Sequence, residues 1–256
     1  MKPGAKKGVS RPRRSRLFCM MSPISIVLCT YNGERYLDEQ LRSLRAQEGV
    51  AEIVVVDDGS TDNTAAVLAD YQARHAALQV ISQVNGGAAA ARNRGIASAA
   101  GRYVLLLDAD DELLPGALAA LREQVLVQPA LGMVLGAQIS VYPNGRERLR
   151  VPPAVPSAGP RALIRRYLLQ KRISISHGCS LFRRDLLLQR PYPVQLRSGE
   201  DIAVFAFLLV SAPVAVIATP LARIYKHADS LRHNRDKAEE YALGMVEAVF
   251  SNLPAD

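Results

Sequence analysis

The sequence predicts an α/β fold: a doubly wound, mostly parallel sheet flanked by helices, in a single domain with a C-terminal extension. Short apolar runs recur along the first half, at Ile24–Thr30, Glu52–Val56, Gln79–Ser82 and Tyr103–Leu107, and read as buried strands. Helical patterns separate them, and this alternation is that of parallel strands joined by crossover helices. Each run also stops in a polar cluster: Thr30-Tyr31-Asn32, Asp57-Asp58, Asn85-Gly86-Gly87 and Asp108–Asp111. If the strands are parallel, the four clusters meet on one sheet edge, where open α/β sheets hold their ligands.

In chain order, Tyr36–Ala46 places Leu37, Leu41 and Leu44 at helical spacing. Asp57–Thr64 is turn chemistry with an N-cap choice, followed by an alanine-rich helix through Tyr71. A helix over Ala88–Ala100 ends at Gly101, which reads as a C′ stop. Leu118–Gln128 reads as a helix and Gly132–Tyr142 as a strand, with a turn at Pro143–Arg146. Val151–Pro160 is proline-rich and reads as a surface loop, Arg161–Gln170 as a helix, and Ile173–Phe182 as a strand edge. Ile202–Ala222 carries no charge and is long enough to span a membrane, but Pro213 interrupts it, so it reads as a buried helix, Ala203–Val210, then a strand, Val214–Ile217. Arg223–Asp236 is polar and basic, and residues 237–256 form a last helix.

A chain of 256 residues is long enough for a full core, and 49% apolar with 22% charged residues is a globular composition. The net charge of +8 owes much to Lys2, Lys6, Lys7, Arg11, Arg13, Arg14 and Arg16. Residues 1–21 therefore read as a disordered basic tail. It suits contact with anionic lipid; the plainer reading is a start codon at Met20 or Met21. The apolar stretch Leu17–Met21 is too short for a signal peptide. Cys19, Cys29 and Cys179 are odd in number and unpatterned, which points to neither a disulfide framework nor a zinc site and fits a reducing cytoplasm.

Asp108-Ala109-Asp110-Asp111 is the densest chemical signal. Three carboxylates at a strand end repel one another and are best tolerated around a divalent cation, Mg²⁺ or Mn²⁺. Taken alone, they fit a solvated turn with Asp111 as a helix N-cap equally well.

Five stretches in order resemble the inverting family 2 glycosyltransferases of the GT-A fold: Ser25–Glu34, Glu52–Asp62, Asn85-Gly86-Gly87 with Ala91–Gly95, Leu107–Asp111 (a DxD motif), and Gly199-Glu200-Asp201 (an ED motif heading a helix). The resemblance implies a GT-A domain over 22–236, with a nucleotide half at 22–128 and an acceptor half at 129–236. It implies a nucleoside diphosphate sugar donor, in family terms UDP, and a glycan or glycolipid acceptor of the bacterial envelope, with no nucleic acid partner. It also implies a cytoplasmic protein that meets the inner face of the plasma membrane peripherally.

The resemblance further implies that Thr30, Tyr31, Asn32, Glu34, Asp57, Asp58, Arg92, Asp108 and Ala109 hold the nucleotide, Asp58 accepting from the imide N–H of a uracil ring. Asp110, Asp108 and His227 would hold the metal, and His177, Gly178 and Asp111 would meet the acceptor. Asp201 would be the general base, with Glu200 beside it. The chain has no tryptophan and lacks the Gln-x-x-Arg-Trp signature of processive members, which favours single-sugar addition. A sugar-nucleotide pyrophosphorylase shares the architecture but would need a basic glycine-rich loop where Thr30–Glu34 stands. A non-catalytic binding module would not need Asp108, Asp110 and Asp201 together, and no G-x-G-x-x-G follows the first strand.

Overall fold

A computed structural model describes residues 24–48, 50, 52–196, 199–226, 244 and 246–250. The tail at 1–21 and His227 lie outside the described residues. Of the C-terminal helix expected at 237–256, residues 244 and 246–250 are helical.

Four strands begin the fold: β1 (Ile24–Thr30), β2 (Ile53–Asp57), β3 (Leu78–Ser82) and β4 (Tyr103–Asp108). They pair in parallel in the order β3-β2-β1-β4. Successive residues of a strand point to opposite faces, and the core divides accordingly. Ile26, Leu28, Val55, Leu105 and Leu107 pack on one face. Val27, Val54, Val56, Val104 and Leu106 pack on the other. Burial on both faces is why these segments read as unbroken apolar runs.

Helix α1 (Glu34–Arg45) buries Leu37, Gln40, Leu41 and Leu44 at helical spacing, and α2 (Thr64–Arg74) buries Leu68 and Tyr71. Helix α3 (Gly87–Ser98) buries Ala89, Ala91, Arg92, Gly95 and Ile96. Ala89, Ala91 and Gly95 are small and let α3 lie close on the sheet. A methyl group at Gly95 would collide with Val27 Cγ1 and press on Val56 Cγ2 at 3.2 Å.

The second half continues the sheet through β5 (Glu112–Leu113), α4 (Ala117–Val127), β6 (Met133–Val141), β7 (Glu147–Arg150), α5 (Pro160–Ile164), a π-helical turn (Arg165–Leu169), β8 (Ser180–Arg183), α6 (Arg184–Gln189), α7 (Glu200–Ser211) and β9 (Val214–Tyr225). Strand β8 runs antiparallel to both β4 and β6, and β9 pairs in parallel with β6 and antiparallel with β5. Most paired positions of the whole sheet are parallel.

The charge-free stretch at 202–222 is resolved by α7, which buries Ala203, Val204, Phe205, Ala206, Leu208 and Leu209. A helix covered on nearly every side carries no polar face. Among the described residues no helix is long and apolar enough to cross a membrane. Strand β9 outruns its expected end at Ile217 and reaches Tyr225. Pro220 is accommodated because it faces Ala137 at an irregularity of the β6–β9 register, where a missing N–H is tolerated. The helix expected at Arg161–Gln170 is α-helical only to Ile164 and then widens into the π turn.

Candidate functional site

The strand register sets the polar clusters side by side. Thr30 lies opposite Asp57, Asp57 opposite Ser82, and Cys29 opposite Asp108. The clusters that end β1, β2, β3 and β4 therefore share one edge of the sheet.

The loops after β1 and β2 are tied to each other. Asn32 has a left-handed backbone (φ 51°). Its N–H donates to Ser60 Oγ at 2.9 Å, and its Oδ1 accepts from the Thr61 N–H at 2.8 Å. Glu34 accepts from both the side chain and the backbone N–H of Asn63, at 2.9 and 3.1 Å. Asp57 accepts from the Ser60 N–H at 3.0 Å. Asn32, Glu34 and Asp57 thus shape the loop. The Tyr31 ring beside them is 53% exposed. Thr30 Oγ1 is buried without a hydrogen-bond partner among the described residues, and a side chain at Gly33 would collide with it.

Asp58 is buried and accepts three hydrogen bonds: Oδ1 from Gln83 Nε2 (2.8 Å) and the Gly86 N–H (2.9 Å), Oδ2 from the Gly87 N–H (2.8 Å). It holds the Asn85-Gly86-Gly87 turn that starts α3. A carboxylate has about four acceptor positions, so one remains on Oδ2.

Strand β4 delivers the carboxylate tetrad. The turn closes where the Asp111 N–H donates to the Asp108 carbonyl at 3.1 Å, and Gln40 Nε2 donates to the same oxygen at 3.0 Å. Asp111 is no helix cap. It is 7% exposed, β5 follows it, and α4 starts only after Gly116. Burial, with Asp108 and Asp110 alongside, pushes the Asp111 carboxyl up to about 8. Its Oδ2 faces Gly178, where a Cβ would come within 3.1 Å. Asp110 and Ala109 are half-buried.

Arg92 joins the two halves of the chain. Its guanidinium is 9% exposed; Nη2 lies 3.1 Å from Asp108 Oδ1, and Nη1 lies 2.9 Å from Glu200 Oε1. Desolvation works against the charge on Arg92, but Asp108 and its other negative neighbours hold its pKa above the ordinary arginine value. Desolvation likewise works against the Asp108 carboxylate, and Arg92 overcomes it, holding Asp108 below the usual carboxylate range. Glu200 and Asp201 occupy the first turn of α7, behind Gly199 in the left-handed region (φ 75°). Carboxylates are favoured at that helix end.

His177 is not on an open face. It is 9% exposed, its Nε2 is 2.9 Å from Tyr192 Oη, and its ring lies 5.0 Å from that of Phe205. Tyr192 also stands by Arg92, with the guanidinium 5.7 Å from its ring. The Tyr192 main chain is held by Asn93: Nδ2 donates to its carbonyl and Oδ1 accepts from its N–H, both at 2.8 Å. Gln40, Gln83, Asn93 and Tyr192 were not singled out from the sequence. Only Asn93 carried a signal, as the neighbour of Arg92 in Ala91–Gly95.

Among the described residues, no group of three His, Cys, Asp or Glu side chains is set to hold a metal ion. The donor set at Asp108 and Asp110 nevertheless suits a hard cation. Mg²⁺ sites commonly use one or two carboxylates plus substrate phosphates.

The glycosyl transferase family 2 model matches residues 25–190. An uncharacterized glycosyltransferase of Escherichia coli, YibD, is 39% identical over 93 residues, 36% of this chain and 27% of that protein. The poly-beta-1,6-N-acetyl-D-glucosamine synthase of Staphylococcus epidermidis is 37% identical over 114 residues, 44% of this chain and 28% of its own length. The matched stretches therefore span under a third of these curated relatives. Among solved structures, TarS 1-349 of S. aureus in complex with UDP-GlcNAc has the same fold, with a TM-score of 0.71 at 23% identity over 91% of this chain and 68% of that one.

Proposed function

The chain belongs to glycosyl transferase family 2, and on that premise we propose that it moves one sugar from a UDP-linked donor to a hydroxyl of an envelope glycan or glycolipid, with inversion at the anomeric carbon. The Arg92 bridge carries the reading. It holds Asp108, at the end of β4, and Glu200, at the head of α7, in one site. A polysaccharide synthase among the relatives supports the class of acceptor. The basic residues before position 21 support peripheral contact with an anionic membrane face.

In this reading the exposed Tyr31 ring is a platform for the base, beside Thr30. Asp58 uses its remaining acceptor position for a base N–H, while Asn32, Glu34 and Asp57 keep the two loops in place. Arg92, Asp108 and Ala109 line the nucleotide. Asp110 and Asp108 would hold Mn²⁺ or Mg²⁺, with His227 as a third ligand. When bound, the cation neutralises the diphosphate leaving group. His177, Gly178 and Asp111, all buried, would support the acceptor side from beneath its surface.

Asp201 takes the proton of the acceptor hydroxyl. That oxygen bonds to the anomeric carbon as the bond to the diphosphate oxygen breaks. One base and one displacement leave no covalent intermediate, so configuration inverts. The test is a panel of UDP-glucose, UDP-galactose, UDP-N-acetylglucosamine and GDP-mannose with Mn²⁺, read as sugar release or transfer. The anomeric proton coupling of the product is then read by NMR. We expect turnover of a UDP-sugar with inversion; retained configuration, or no turnover of any donor, overturns the reading.

A further inference from the structure

Helix α3 presents two adjacent side chains to the acceptor half. Arg92 binds the carboxylates Asp108 and Glu200. Asn93 makes a reciprocal pair with the main chain of Tyr192, Nδ2 to the carbonyl and Oδ1 from the N–H, both at 2.8 Å. The two partners lie 99 positions apart in the chain. Tyr192 is 2% exposed and is fixed from a third side by His177 at 2.9 Å. It precedes α7, whose first turn carries Glu200 and Asp201. A side-chain amide bonded to both polar groups of one residue copies the pairing of a β-ladder, and fixes that residue in position and orientation.

We propose that Asn93 is a positioning residue for the transfer step: by clamping Tyr192 it sets where the head of α7 presents Asp201. The inference rests on the reading of Asp201 as general base. Placement errors of about 1 Å lower rates by roughly 10²-fold. Losing the clamp should therefore act on turnover and leave donor affinity alone, because among the described residues the side chain of Asn93 bonds to Tyr192 and to neither the β1 and β2 loops nor the tetrad.

The test compares wild type, Asn93→Ala, Asn93→Asp and Asp201→Asn on the fastest UDP-sugar of the panel, with water as acceptor and Mn²⁺ present. UDP affinity is measured separately by calorimetry, and amide exchange is followed at Tyr192 and Ile202. For Asn93→Ala we expect turnover lower by at least about tenfold, UDP affinity within about twofold, and faster exchange at Tyr192. Asn93→Asp keeps the acceptor for the Tyr192 N–H but loses the amide donor, so its turnover should fall between the two. Normal turnover in a folded Asn93→Ala protein overturns the inference, as does UDP affinity falling in step with turnover. Unchanged turnover in Asp201→Asn would instead remove the base assignment. If no donor turns over, exchange at Tyr192 and Ile202 still decides the clamp: unchanged rates in Asn93→Ala overturn it.

Discussion

Arg92 and Glu200 form a 2.9 Å ion pair across 108 positions of chain, with side chains 9% and 17% exposed. Removing one partner of such a pair strands the other, at about 3–5 kcal/mol. Arg92→Met leaves both Asp108 and Glu200 without their cation, and should cost about that much stability in urea unfolding. Glu200→Gln keeps a hydrogen-bonding side chain and should cost about 1–2 kcal/mol, nearer the value of one charged hydrogen bond. Equal losses would mean that stranding the two carboxylates costs no more than weakening one charged hydrogen bond.

Asp201→Asn preserves shape but cannot take a proton at neutral pH. Turnover should fall by about 10²–10⁴, with nucleotide affinity nearly unchanged. Single-turnover rates and calorimetry with UDP check the two halves of this expectation.

The Asp111 carboxyl, raised to about 8, gives a pH dependence of defined sign. Without metal, the folded chain keeps a proton that the unfolded chain releases near its ordinary carboxylate pKa of about 4. This contribution to stability is complete below that pKa and is lost as pH rises through about 8. Mn²⁺ with UDP should offset the loss, so the gain in Tm on adding them should be larger at pH 8 than at pH 5. Asp110→Asn should shrink that gain, because an amide oxygen is a poorer ligand than a carboxylate. A gain independent of pH would argue against a cation beside the tetrad.

Asp58→Ala removes the acceptor for Gln83, Gly86 and Gly87 together. UDP affinity should fall by about 1–3 kcal/mol, with a loss of stability alongside it. If Asp58 also meets the base, UDP should lose more than GDP; equal losses would confine Asp58 to the turn.

Burial pushes the thiols of Cys29 and Cys179 up to about 12 and about 11. In a Cys19→Ser background the native protein should resist iodoacetamide at pH 8 and react only after unfolding, since the thiolate is the nucleophile. Stability should fall as pH climbs above the ordinary thiol pKa, where only the unfolded chain loses these protons.

The strands of the first half were legible because burial on both sheet faces leaves an unbroken apolar run, and their polar ends marked the edge where the clusters gather. Strand β7, Glu147–Arg150, was not legible. All four residues are exposed, and the strand is held by backbone pairing with β6, which leaves no pattern in side chains. The residue types at the site were visible, but their partners were not. Glu34, Asp57 and Asp58 read as ligand contacts and are largely occupied by loop hydrogen bonds. Nothing local to Arg92 or Asn93 names Glu200 or Tyr192, about a hundred positions away. Such pairings are created by the fold.

The seat of Gly95 on Val27 and Val56 has a genetic consequence. An alanine there adds one methyl group less than a turn along the helix from Arg92, and it must lift α3 off the sheet or tilt it. Arg92 and Asn93 ride on that helix, so both reach for their partners from the wrong height. A screen for inactive alleles should therefore recover position 95 among the carboxylates, although it touches neither donor nor acceptor.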